Sequence, residues 1–292
     1  MNIMTNMTID VTTQTTSAAA IEAVSKNAVS IELQDVTLAY RGHPAVHHVS
    51  GVFAPGSLTA LIGPNGAGKS TLLRAMARQA RPNQGHVIYN GIASNQPGTI
   101  AYLPQIAGLN PDFALRVIDV VAMGAWQAIG AMGAMNTAVI EKLQAALQQV
   151  GLANFESRMV DELSVGQLQR VLFARLIMQD APVILLDEPF NALDATTVRD
   201  LLKIIHTWHH QGRLVVAVLH DMNTVKQHFP QTLLMARELI AWGPTSAVVN
   251  NQKLGEAEQA SLVWQDAAPW CYQPEQNVGG IVHKHEHSHH AH

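Results

Sequence analysis

Cysteine is nearly missing from this chain. Cys271 is the single one in 292 residues, so no internal disulfide can form, and that usage fits a reducing compartment. Charge is also scarce: 14% of residues are charged against 48% hydrophobic, and the net charge is −4. A balance of that sign gives no general affinity for nucleic acid. No uninterrupted span of 18 apolar residues occurs. The nearest stretch, Val117 to Met135, carries Asp119, Gln127 and three glycines, and reads as a buried helix rather than a membrane span. The N-terminus lacks the basic and apolar regions of a signal peptide. What remains is a soluble or membrane-peripheral protein with one sizeable core, or one core carrying an inserted subdomain.

The most informative stretch is Gly63-Pro64-Asn65-Gly66-Ala67-Gly68-Lys69-Ser70-Thr71. An apolar run, Leu58 to Ile62, precedes it and reads as a buried strand. Leu72 to Ala77 follows with helical composition. Strand, glycine-rich turn and helix are the context a phosphate-binding P-loop needs. The glycines permit backbone conformations closed to other residues, so successive N–H groups can point inward at an anion. The positive end of the following helix adds to that field. In this motif Lys69 reaches the β- and γ-phosphates, and the Ser70 hydroxyl ligates Mg²⁺.

Residues 1 to 28 are rich in Thr, Ser, Ala and Asn without a sustained period, and predict a disordered lead-in or at most a short helix around Ala18 to Val24. Alternation from Ser30 to Tyr40 predicts a strand, Val49 to Ala54 a second. Tyr40 is either a half-buried strand aromatic or a platform for an adenine ring. Helix is expected from Lys69 to Gln79, then strands at His86 to Asn90 and Thr99 to Leu103. Gln105 follows that last strand and is either a solvated loop residue or a ligand to a metal or water. Residues 112 to 160 change to a helical pattern, as an insertion would. Leu163-Ser164-Val165-Gly166-Gln167 precedes an amphipathic helix, Leu168 to Gln179, with Ser164 as its N-cap. Ser and Gly there either start a helix and nothing more, or bind phosphate through the helix N-terminus.

Val183 to Leu186 is a continuous apolar run, as in a strand buried on both faces, and it ends in Asp187-Glu188. Two adjacent carboxylates at such a place are costly unless each has a task. One facing Mg²⁺ and one facing an attacking water accounts for both. Leu214 to Leu219 is a second such run, ending in His220 at the edge where α/β sheets bind ligands. His220 is either a core-edge histidine or part of that site. A helix and strand pair is expected over Met222 to Ala241, and a turn at Trp242-Gly243-Pro244. Pattern weakens beyond Gly255. The end carries His283, His285, His287, His289, His290 and His292, a metal-chelating composition that favours Zn²⁺ and would also bind Ni²⁺ or Cu²⁺. It is either native or a purification tag; interruption by Lys, Glu, Ser and Ala favours a native tract.

Taken in order, these motifs resemble the nucleotide-binding subunit of ABC transporters over about residues 30 to 250. Gly63 to Thr71 matches its P-loop, Gln105 its Q-loop, and Leu163 to Gln167 its signature motif. Asp187-Glu188 matches its Walker B end, Ala192-Leu193-Asp194 its D-loop, His220 its switch histidine and Tyr40 its adenine-stacking aromatic. Val165 and Leu168 depart from the signature; Ser164 and Gly166 do not. The resemblance implies an α/β fold: a P-loop NTPase (RecA-like) core with an antiparallel β subdomain and an inserted helical subdomain. It implies an ATPase domain over 29–255, the helical part at about 106–165, and a C-terminal extension over 256–292.

The same resemblance implies ATP and Mg²⁺ as cofactors. Glu188, His220, Gln105 and Lys69 would be catalytic, and Ser70, Gln105 and Asp187 would hold Mg²⁺. The nucleotide would lie on Tyr40 and on Gly63, Pro64, Asn65, Gly66, Ala67, Gly68, Lys69, Ser70 and Thr71. Ser164, Gly166, Gln167 and Asp194 would complete its site in a head-to-tail homodimer. A separate integral membrane permease, fed by a periplasmic or extracellular solute-binding protein, is expected. The chain would be peripheral on the cytoplasmic face of the inner (cell) membrane. Within the family it looks most like the zinc and manganese importer branch. Importers of iron-siderophore or cobalamin are the alternative, and a soluble ABC ATPase outside transport is a further one. Nucleic acid is not an expected partner.

Overall fold

The computed structural model describes residues 29–40, 43–91, 98–105, 114–126 and 136–266. The strands are β1 (Ser30–Tyr40), β2 (His43–Phe53), β3 (Leu58–Ile62), β4 (Gln84–Asn90), β5 (Ile100–Leu103), β6 (Val183–Asp187), β7 (Leu214–Val218), β8 (Gln231–Ala236) and β9 (Glu238–Pro244). The α-helices are α1 (Lys69–Met76), α2 (Val117–Ala122), α3 (Thr137–Gln149), α4 (Val165–Gln179), α5 (Ala195–His210), α6 (Met222–His228), α7 (Thr245–Val248) and α8 (Asn251–Asp266).

Two sheets carry the described residues. The larger has the order β5-β6-β7-β3-β8-β9, and the smaller the order β2-β1-β4. Every pairing in the larger sheet is parallel except β8 with β9. The smaller sheet is antiparallel throughout. β3, β6 and β7 are buried at every position, which explains their unbroken apolar runs. Alternate residues of one strand serve different cores. Ile184 and Leu186 join a core with helices α2 to α6, whereas Val183 and Leu185 join one with α1, β1 and β2. α2 and α3 pack against α4, so the helical insertion is anchored on the helix that Ser164 caps.

The P-loop core, the antiparallel sheet and the helical insertion agree with the expected fold; several local expectations do not. β2 starts at His43 rather than Val49, because its N-terminal half pairs with the end of β1. α1 stops at Met76, before Gln79, and Arg78 takes a left-handed φ of 61°. α4 starts at Val165, ahead of Leu168. Trp242-Gly243-Pro244 is not a turn but lies in β9, opposite Leu233, Thr232 and Gln231, with Trp242 packed on Phe53. The weak pattern beyond Gly255 hides α8, whose Ala257 is buried against the core. Of the expected buried helix at Val117 to Met135, the described part ends α2 at Ala122 and continues as a 3₁₀ turn, Met123–Ala125. Residues 1–28, Cys271 and the six tail histidines lie outside the described residues.

Candidate functional site

Parallel strands put their C-terminal ends on one edge, and the candidate residues follow from that. Ile62 leads to the P-loop, Leu103 to Gln105, Asp187 ends β6, and His220 follows β7 by two residues. The loop is held from both sides. A Cβ on Gly63 would stand 2.0 Å from the Met235 carbonyl oxygen, and one on Gly68 would stand 2.0 Å from that of Ala45. Gly68 also has φ 86°, so both positions exclude a side chain. The Arg237 amide donates to Ala67 O at 3.0 Å, and its guanidinium donates to Pro44 O at 2.9 Å. α1 begins with no side-chain cap, so its first-turn N–H groups remain oriented toward whatever sits in the loop.

Lys69 curls back over the loop, donating to Gly63 O and Pro64 O at 2.9 Å each. Burial lowers its pKa, while the charges of Glu188 and Asp187 oppose that shift. The Ser70 hydroxyl donates to Asp187 Oδ1 at 2.9 Å, and Tyr102 OH to Oδ2 at 3.4 Å. Asp187 is 3% exposed. Burial raises its pKa, against the hydrogen bond from Ser70. Tyr102 is itself pushed up to about 12, chiefly by burial and by the Asp187 charge, so it stays a donor. Oxygen donors of this kind, a hydroxyl beside a carboxylate at the foot of a phosphate loop, suit Mg²⁺.

Glu188 leaves the strand in a left-handed conformation, φ 50°, which costs a residue with a Cβ about 1–3 kcal/mol. The turn aims its carboxylate away from Asp187's partners. Oε2 accepts from Gln105 Nε2 at 2.7 Å, and Oε1 lies 2.7 Å from His220 Nε2. Asn191 adds a longer hydrogen bond at 3.5 Å.

The structure therefore brings together Lys69, Ser70, Gln105, Asp187, Glu188 and His220. Thr71 is buried beneath the loop, whereas Asn65 and Gly66 are exposed at its tip. Ser164, Gly166 and Gln167 form a separate group. Ser164 Oγ accepts from Gln167 N at 3.2 Å, and Gln167 Oε1 accepts from Ser164 N at 3.0 Å, a closed capping box. Gly166 faces Thr197 and Asp194. Asp194 caps α5: Oδ1 accepts from the amides of Thr196 and Thr197, and Oδ2 from the Thr197 hydroxyl. Those bonds hold its carboxyl below the usual range. Tyr40 ends β1 and is 51% exposed, a flat face open to solvent.

Sequence reasoning missed Tyr102, Asn191 and Thr197. Tyr102 sits in β5 two residues before Pro104, and its link to Asp187 emerges only from the pairing of β5 with β6, the strand that delivers Asp187.

Residues 46–191 match the family described as ABC transporter. The manganese transport system ATP-binding protein MntB of Bacillus subtilis (strain 168) is 36% identical over 225 residues, covering 77% of this chain and 90% of its own. The zinc transport system ATP-binding protein TroB of Treponema pallidum (strain Nichols) is 36% identical over 221 residues, covering 75% and 83%. Among solved structures, the dimeric structure of MJ0796, a bacterial ABC transporter cassette, is similar with a TM-score of 0.64. It is 25% identical and covers 74% of this chain and 98% of that one. Motifs in this order, a strand-end cluster of this geometry and relatives at this level agree: the chain belongs to the ABC transporter family, as its ATP-hydrolysing subunit, working with ATP and Mg²⁺.

Proposed function

We propose that this chain drives import of a transition metal, zinc in the first place, through a separate integral membrane permease. Support for metal comes from relatives named for manganese and zinc transport. Support for zinc comes from the six histidines between His283 and His292, since imidazole suits zinc better than manganese. Those histidines would bind Zn²⁺ on the cytoplasmic side. No helix among the described residues is long and apolar enough to cross a membrane, in keeping with a peripheral subunit on the cytoplasmic face. A periplasmic or extracellular solute-binding protein would deliver the metal to the permease. The ATPase domain would span 29–255, with the helical part at about 106–165 receiving the permease.

The observation that carries the catalytic reading is Glu188, held 2.7 Å from both Gln105 and His220 beside the Ser70–Asp187 pair. Backbone N–H groups from Gly63 to Thr71 would cradle the β- and γ-phosphates, with Lys69 offsetting charge as it develops. Ser70, Asp187 and the Gln105 amide oxygen would hold Mg²⁺, which neutralises phosphate charge when bound. Glu188 would take the proton of the attacking water as its oxygen bonds to the γ-phosphorus and the bond to ADP breaks. His220 would turn from Glu188 to the γ-phosphate, and Tyr40 would stack on adenine. Ser164, Gly166 and Gln167 would reach the nucleotide of a second, head-to-tail copy. Asp194, whose carboxylate is spent on Thr196 and Thr197, would shape that interface.

The experiment is uptake into vesicles holding the chain with its permease and solute-binding protein. ATP-driven zinc uptake that disappears with Glu188→Gln is expected. ATP turnover that supports manganese but not zinc uptake would reverse the choice of metal, and uptake of neither would end the zinc and manganese reading.

A further inference from the structure

Two histidines lie outside the nucleotide cluster and face each other. His206, on α5, and His228, the last residue of α6, have ring centroids 5.4 Å apart and planes tilted by 44°. Both line a cavity of about 770 Å³ whose walls also include Leu202, Leu219, Glu188 and His220. His206 Nε2 is buried and has no hydrogen-bond partner among the described residues. A buried ring nitrogen with no partner costs free energy, and a water or an ion would satisfy it.

The spacing fits one. A nitrogen about 2.0–2.1 Å from a tetrahedral zinc puts its ring centroid about 3.2 Å from the metal, and two such rings about 5.2 Å apart. The observed separation of 5.4 Å is within a few tenths of that. Burial, with His206 nearby, lowers the His228 pKa, which keeps that imidazole in the neutral form that ligates metals. Oxygen-preferring Mg²⁺ does not suit the pair, and Mn²⁺ stands low in the affinity order for imidazole.

We propose that His206 and His228 bind a divalent transition-metal ion of the zinc type in the cavity between α5 and α6. Among the described residues, no group of three or more His, Cys, Asp or Glu could hold a metal. Two protein ligands leave the remaining positions of the ion to water, fewer protein ligands than structural or catalytic zinc sites use. Its placement matters because α5 starts at the Asp194 cap and α6 two residues after His220. An ion held by both histidines ties together the two helices that follow those groups.

The test uses the full chain with His283, His285, His287, His289, His290 and His292 all replaced by Ser, so that the tail cannot ligate. Titration with Co²⁺, followed by absorption, should show one bound equivalent that Zn²⁺ displaces and Mn²⁺ does not. His206→Gln and His228→Gln should each weaken binding by at least about tenfold. Thermal unfolding and ATP turnover in buffer free of transition metal should stay unchanged. No uptake at up to about 1 mM metal, or equal affinity in either variant, overturns the proposal. Should the variants fail to fold, zinc protection of His206 and His228 from diethyl pyrocarbonate in the tail-substituted chain decides. Protection of both supports the site, and equal modification with and without zinc sinks it.

Discussion

Helices α1 and α4 start alike and end up opposite. Each opens on a small-residue turn ahead of apolar residues, Gly68 for one and Ser164 for the other. α1 has no side-chain cap, and α4 has a capping box closed on both sides. One set of first-turn N–H groups is left for an anion, whereas the other is partly satisfied within its own helix. Binding power thus sits at the P-loop. The Ser164 end, with its hydroxyl proton still to donate, suits a later and weaker contact from a second copy.

The sharpest way to break that contrast is between chemistry and binding. Glu188→Gln should cut ATP turnover by about a thousandfold or more, with ATP affinity kept and ATP-bound dimers accumulating in sedimentation. Normal turnover would dismiss Glu188 as the base. Next comes Lys69→Ala, expected to weaken nucleotide binding by about ten- to a hundredfold, the worth of charged hydrogen bonds. Unchanged affinity in a fluorescent-nucleotide titration would move the binding site elsewhere. Ser164→Ala should do the reverse of Lys69→Ala: monomer affinity for ATP stays, while turnover falls about tenfold and α4 loses about 1 kcal/mol of cap stability.

A smaller effect is set by pH. Burial raises the Asp187 pKa, so between the ordinary carboxylate pKa and the raised value the folded chain binds more proton there than the unfolded chain does. Its contribution to stability is fully present below the ordinary carboxylate pKa and declines as pH rises toward the raised value. Asp187→Asn should therefore raise the metal-free unfolding temperature at neutral pH, and the gain should close on acidification. Magnesium affinity should move the other way, weakening as pH drops through that raised value. The smallest change is expected from removing residues 283–292: ATP turnover in buffer free of transition metal should stay close to intact. Collapse of activity would make the tail structural.

Much of the site was legible because its signals are local. The P-loop glycines, the Asp187-Glu188 pair and His220 are each read from a strand end and the residues beside it. The turn at Glu188, φ 50°, was not legible, because its strain is compensated by Gln105 and His220, far off in sequence. Tyr102 needed the register of β5 on β6 before its hydroxyl could be assigned to Asp187. Trp242-Gly243-Pro244 carries strong turn chemistry, yet pairing with β8 and the packing of Trp242 on Phe53 override it. α8 has so weak an apolar face that only Ala257 and its neighbours against β8 and β9 reveal its packing.

Gly68 sits so close to Ala45 that a single added carbon would collide with its carbonyl. Arg237 bolts the same strand to the loop from the other side, through Pro44 and Ala67. The phosphate grip and the outer sheet are in effect one casting. A pull on the loop would therefore be felt in β2 and, through the pairing of His43 with Tyr40, at the end of β1.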